Sequence, residues 1–93
     1  MHIISQKRIV ESKAVHPKAA AGLDRWYRLM KGAALHGFVE VRSLFPDADR
    51  VDGYYVFNIG GNQLRLIATL HLNRQKRYIR EILTHAEYDR WKP

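Results

Sequence analysis

The sequence predicts a small α+β domain, an antiparallel sheet with N-terminal helices on one face and a short C-terminal helical turn. Three observations predict it. Apolar residues recur at helical spacing up to about residue 45, and alternation with a period of two takes over from Tyr54. Between the two alternating runs stands Gly60-Gly61, a turn signal that joins them as a hairpin. Ninety-three residues form one domain, 1–93, whose folding buries roughly 60–65% of the unfolded chain's surface. That is enough for one two-layer core.

The elements follow in order. His2-Ile3-Ile4 reads as a short strand, at the edge or the centre of the sheet. Ser5 can cap a first helix from about Gln6 to Val15, with Ile9 and Val10 beginning its buried stripe. Pro17 suits the first position of a second helix. There Ala20, Leu23, Trp26, Tyr27 and Met30 share one broad apolar face, which reads as core rather than as a stacking platform. Gly32 and Gly37 bound a loop, and Phe38, Val41, Leu44 and Phe45 mark a short third helix stopped by Pro46. The acidic turn PDADRVDG leads into the sheet.

A two-residue turn at Gly60-Gly61 pairs Ile59 with Asn62, Phe57 with Leu64, Tyr55 with Leu66 and Val56 with Arg65. One face then carries Tyr55, Phe57, Ile59, Leu64, Leu66, Ala68, Leu70 and Leu72, the side awaiting the helices. The other carries Tyr54, Val56, Asn58, Gln63, Arg65, Ile67, Thr69 and His71. The next strand spans about Gln75 to Leu83. A turn at Asn73-Arg74 sets Arg80 opposite Ile67, on the Arg65 side; a slip of one residue would bury it, at high cost for an unpaired guanidinium. The first register is favoured. It sends Tyr78 and Ile82 to the polar face and Ile79 and Leu83 to the core, with Arg77 and Glu81 near the core's edge. Thr84 and Glu87 have capping-box spacing, which places His85 and Tyr88 on one side of a final helical turn.

Charge and composition narrow the function. Sixteen Lys and Arg against nine Asp and Glu give a net charge of +7. The segment from Arg65 to Arg80 holds Arg65, Arg74, Lys76, Arg77 and Arg80 without a carboxylate. Cations carried on strands suit a polyanion, RNA or DNA, through counterion release. No apolar run approaches the ~20 residues of a membrane span, and MHIISQKRIVESK lacks the apolar stretch of a signal peptide. The absence of cysteine excludes disulfides and thiolate metal sites and suits a cytoplasmic location. Histidines 2, 16, 36, 71 and 85 show no metal spacing, and the paired glycines lie in a hairpin rather than a phosphate loop. No cofactor is expected.

FNIGGNQLRLIA followed by YIREILTHAEYD closely resembles the HigB family of toxins from bacterial toxin–antitoxin pairs, within the RelE-like superfamily of endoribonucleases. HPKAAAGLDRWYRL and FPDAD extend the resemblance over most of the chain. It implies a curved antiparallel sheet with helices on one face. It implies cleavage of mRNA, typically in the A site of the translating 70S ribosome, and neutralisation by a HigA-like antitoxin. The toxin–antitoxin complex of such systems commonly represses its own operator DNA, which the antitoxin contacts. Arg65 falls where such toxins carry a strand arginine, and Tyr88 near their C-terminal tyrosine. Several relatives also use lysines on the strand before the glycine turn, whereas GYYVFNI has none.

Metal-independent RNA cleavage needs a base for the 2′-OH, cations for the phosphorane and an acid for the 5′ oxygen. Arg65 and Arg80 are the candidates for the phosphorane, since arginine stays charged and offers a planar fork. His85 can exchange protons near neutrality, the unperturbed histidine pKa being about 6.5, and Tyr88 can donate or orient. Which is acid and which is base stays open. Asn58, His71, Arg74, Lys76 and Arg77 are expected on the RNA, largely as backbone contacts. Two alternatives remain: a non-catalytic RNA-binding module, and a degenerate toxin that serves its antitoxin as corepressor.

Overall fold

The computed structural model describes residues 2–4, 6–61 and 63–91, with only the backbone of 2–4. Ser5 and Asn62 lie outside the described residues, and with them the expected Ser5 cap and Ile59–Asn62 pair. In order come β1 (His2–Ile4), α1 (Gln6–Val15), a 3₁₀ turn (Pro17–Ala19), α2 (Ala20–Gly32) and α3 (Phe38–Leu44). Then follow β2 (Asp49–Val51), β3 (Tyr54–Ile59), β4 (Leu64–His71), a second 3₁₀ turn (Leu72–Arg74), β5 (Lys76–Thr84) and α4 (His85–Arg90). The chain is α+β, as the sequence predicts. The sheet runs β1-β5-β4-β3-β2; β2 to β5 are antiparallel neighbours, and β1 joins β5 in parallel at the edge.

Three helical segments build one face of the core. Leu23, Trp26 and Met30 of α2 are fully buried, and Trp26 meets Phe57 of β3 edge-on at 5.5 Å. Phe45, just after α3, meets the same ring from another side at 5.1 Å. Helix α1 contributes less than its sequence suggests. Ile9 is buried, but Val10 is 60% exposed, because successive helical residues point about 100° apart and α1 turns only a narrow stripe inward. Pro17 opens a 3₁₀ turn, and α2 proper begins at Ala20. The close approach of α2 to the hairpin depends on Gly22. A Cβ there would lie 2.8 Å from the Gly60 amide nitrogen and 3.0 Å from Ile59 Cγ2.

Strand pairing departs from the sequence reading in three places. The hairpin loop has four residues rather than two: Ile59 pairs with Leu64, Phe57 with Leu66, and Arg65 faces Asn58 instead of Val56. Gly60 and Gly61 both have positive φ, +63° and +69°, as the turn requires. The register slips by two residues, and side-chain direction has period two, so each residue keeps its predicted face. Three residues of the acidic turn, Asp49–Val51, are themselves a strand, β2, with Asp52 and Gly53 at positive φ linking it to β3.

The third departure lies between β4 and β5. Register follows expectation from His71–Lys76 to Ala68–Ile79, and a bulge then makes Ile67 face Glu81 rather than Arg80. One extra residue exchanges the faces beyond it. Ile82 therefore pairs with Leu66 and packs on the core, while Leu83 pairs with Arg65. Arg77, opposite Leu70, is completely buried on the core face. Its Nη2 donates to the Ala33 carbonyl at 3.0 Å, just past the end of α2, and Gln75 Oε1 accepts from both terminal nitrogens at 3.3 Å. Burial lowers its pKa from the ordinary arginine value. The carbonyl end of α2 is a favourable place for a cation. Arg77 therefore belongs to the scaffold, and the expectation that it grips RNA is corrected.

Helix α4 is closed at its start by the predicted capping box. The Glu87 amide donates to Thr84 Oγ1 at 3.2 Å, and the Thr84 amide to Glu87 Oε1 at 2.8 Å. Hydrogen bonds from the Thr84 backbone first, and then its side chain, hold the Glu87 carboxyl below its ordinary pKa.

Two outcomes follow from these contacts. Gly22→Ala, a gain in helix propensity, will instead destabilise the fold by about 1–3 kcal/mol in urea unfolding, because the hairpin backbone must retreat. A lowered folded-state pKa stabilises α4 above the ordinary carboxylate range, and that stabilisation is lost as pH falls through the lowered value. Acid titration followed by NMR will show the Thr84 amide losing its partner in step with Glu87 protonation, and Thr84→Ala will fray α4 at neutral pH.

Candidate active site

Alternation along β4 points Leu64 and Leu66 at the helices and Arg65 at the opposite face. That opposite face is not open. Val56 and Ile67, both on it, are as buried as core residues. Helix α4 lies against β4 and β5 there, and Trp91 sets its ring against Tyr54, edge-on at 5.5 Å. Arg65 is left only 9% exposed.

A guanidinium that dry requires acceptors. Nη2 of Arg65 lies 3.2 Å from His85 Nδ1, Nη1 donates to the Leu64 carbonyl at 3.4 Å, and the charged carbon stands 5.8 Å over the Tyr88 ring. The juxtaposition is built by the sheet. Thr84 closes the β4–β5 ladder opposite Leu64, so the first residue of α4, His85, emerges beside Arg65. Arginine has only donors, so Nδ1 must accept and the imidazole hydrogen belongs on Nε2. Nε2 in turn faces Asp89 Oδ2, one helical turn on, at 3.9 Å.

Sequence reading missed Trp91. Its ring stacks on Tyr88 at 5.9 Å with 19° between planes, so Tyr88 is held between the Arg65 guanidinium and the indole. Trp91 stands three residues after Tyr88, a helical neighbour spacing that was legible; its partner Tyr54, thirty-seven positions earlier, was not.

Arg80 takes a different place. As the bulged residue it is exposed; its Nε donates to Thr69 Oγ1 at 2.7 Å, and its charged carbon lies 5.2 Å over the Tyr78 ring. Thr69 is four residues from Arg65 on β4, about 13 Å away. The structure thus groups Arg65, His85 and Tyr88 and sets Arg80 apart, in a second cluster with His71, whose ring meets Tyr78 edge-on at 5.1 Å. Lys76 pairs with His71, and exposed Arg74 sits in the adjoining turn. Asn58 is exposed directly across from Arg65. A cavity of about 300 Å³ lies between Gly22, Arg25, Trp26, Asp47, Asn58 and the hairpin glycines; Asn58 is the candidate that lines it, and Arg65, Arg80, His71, His85 and Tyr88 do not.

The first group unites a fixed cation, a ring nitrogen able to exchange a proton and a phenol. Such a set can hold a phosphodiester and move protons on either side of it. The comparisons with known proteins agree in kind. Residues 19–91 match the model of the HigB_toxin family, described as the RelE-like toxic component of a toxin–antitoxin system. The "mRNA interferase toxin HigB" of Escherichia coli strain K12 is 35% identical over 92 residues, covering 96% of this chain and 88% of the relative. The "mRNA interferase HigB" of Shigella flexneri matches to the same extent. That of Escherichia coli O6:H1 is 34% identical over 93 residues, 97% of this chain and 90% of its own. The chain belongs to the HigB toxin family, the RelE-like toxic components of toxin–antitoxin systems.

Proposed function

We propose that this toxin is an endoribonuclease that cuts mRNA where β4 meets α4, acting on translating ribosomes in the cytoplasm. The grouping of Arg65, His85 and Tyr88 carries the reading. A scissile phosphate arriving at this corner competes with His85 for the Arg65 guanidinium. Once the fork turns to the phosphate oxygens, Nδ1 of His85 regains a free lone pair. It can then take the proton of the 2′-OH as the 2′ oxygen attacks phosphorus. Arg65 stabilises the charge of the phosphorane. As the bond from phosphorus to the 5′ oxygen breaks, the Tyr88 hydroxyl supplies that oxygen with a proton. The products are a 2′,3′-cyclic phosphate and a free 5′-OH, with the proton on His85 returning to Tyr88 through solvent. No step requires a metal ion.

Trp91 acts through Tyr88, fixing the ring that the chemistry uses. Asn58 beside the corner, and Lys76 and Arg74 at the far end of β4 and β5, contribute contacts to the RNA backbone. Neutralisation falls to a HigA-like antitoxin, whose complex with the toxin would occupy operator DNA through the antitoxin.

The test is incubation of mRNA with and without translating ribosomes, followed by mapping of new 5′ ends. Arg65→Ala will lower the cleavage rate on the order of 10²–10³-fold, and Tyr88→Phe about 10²-fold or more, with the circular dichroism of both variants retained. RNA retained by the wild-type chain without new ends would instead favour a binding module. Ends that persist unchanged in both variants would remove Arg65 and Tyr88 from the chemistry.

A further inference from the structure

The second cluster on the active-site face is not used by the acid–base chemistry. Tyr78 lies opposite Thr69, with the exposed His71 imidazole against its ring at 79° and the Arg80 guanidinium over it. The bulge at Arg80 creates the arrangement. An extra residue re-aims that side chain along the face, toward Thr69, and β-bulges recur beside active sites for this purpose. Only Nε of Arg80 is engaged by a hydrogen bond. Its two terminal nitrogens have no protein partner among the described residues, which leaves the planar fork presented to solvent. Among the described residues no carboxylate is paired with it, and the neighbouring Glu81 faces Arg8 at 3.8 Å.

Two aromatic rings and an open guanidinium fork, flanked by Lys76, match a specific chemistry. Unpaired nucleobases stack on Tyr, His and arginine planes, and a fork of donors fits a phosphate. We infer that Tyr78, His71 and Arg80 form a second nucleotide subsite, which stacks one unpaired base of the RNA and holds its phosphate. The inference rests on the reading of this face as the RNA-cleaving one. At about 13 Å along β4 from Arg65, the subsite lies within a short stretch of single strand from the cut. Its occupancy sets which nucleotide reaches Arg65. Tyr78 and His71 are thus specificity determinants, not catalytic residues.

The probe is a fluorescent single-stranded oligoribonucleotide with 2′-O-methyl groups, which cannot cyclise. Tyr78→Ala will weaken its binding roughly tenfold, the ordinary loss for one stacked base, whereas Tyr78→Phe will bind about as tightly as wild type. Arg80→Ala will reduce the salt dependence of binding by about one phosphate contact. On translating ribosomes, Tyr78→Ala and His71→Ala will redistribute the mapped 5′ ends and raise KM more than they lower kcat. If Tyr78→Ala fails to fold, judged by thermal melting, the exposed His71→Ala and Arg80→Ala decide. Unchanged affinity together with unchanged cut positions overturns the subsite. Tyr78-dependent binding by a wild-type chain that never cuts RNA would keep the subsite and remove the nuclease reading. If the free chain holds no oligonucleotide, the ribosomal end map decides, and unchanged ends overturn the inference.

Discussion

A nearly dry guanidinium cannot be left without acceptors, and the face of this toxin that carries the candidate site is organised around that constraint at Arg65. The residue stands between two leucines that anchor the core, so its backbone position is fixed by the packing of α2 and α3 on the sheet. Its side chain must find acceptors on the other face. There it finds His85 and the π face of Tyr88, both on α4. One interaction therefore joins the central strand to the terminal helix and brings the candidate groups together.

The same constraint accounts for an otherwise unstable element. A helix of six residues does not hold together in water by itself. Here α4 is fixed at its start by a reciprocal capping box, and along its length by Arg65 beneath Tyr88. Just past its end, Trp91 packs between Tyr88 and Tyr54. Val56 and Ile67, paired with each other on the same face, are buried as well, on a side that alternation alone would leave wet. The polar sheet face expected from the sequence is in consequence covered at this corner, where Arg65 is nearly dry.

Much of this was legible in the sequence, for physical reasons that differ by element. The face of Arg65 survived a wrong hairpin register because the slip was of two residues and the pleat repeats every two. The capping box was local and could be read from four residues. The bulge could not, since Lys76 to Leu83 shows no break in pattern at Arg80, and it reversed the faces of Ile82 and Leu83. Arg77 stood near the core's edge in the sequence register, but its full burial was not legible, because the acceptors that allow it, the carbonyl end of α2 and Gln75, lie outside its own strand. Strand β2 was hidden in a polar turn, and Trp91 needed a partner distant in sequence.

In the proposed chemistry, Arg65 has two occupations: it holds His85 in the resting chain and the phosphate when RNA is bound. The resting half of this exchange can be seen directly. Long-range ¹H–¹⁵N correlation of the histidine rings reports which nitrogen of His85 carries hydrogen. The RNA-free toxin will show an Nε2–H ring with Nδ1 accepting from Arg65, and Arg65→Leu will lose that preference. An Nδ1–H ring, or a tautomer indifferent to Arg65, would contradict the exchange.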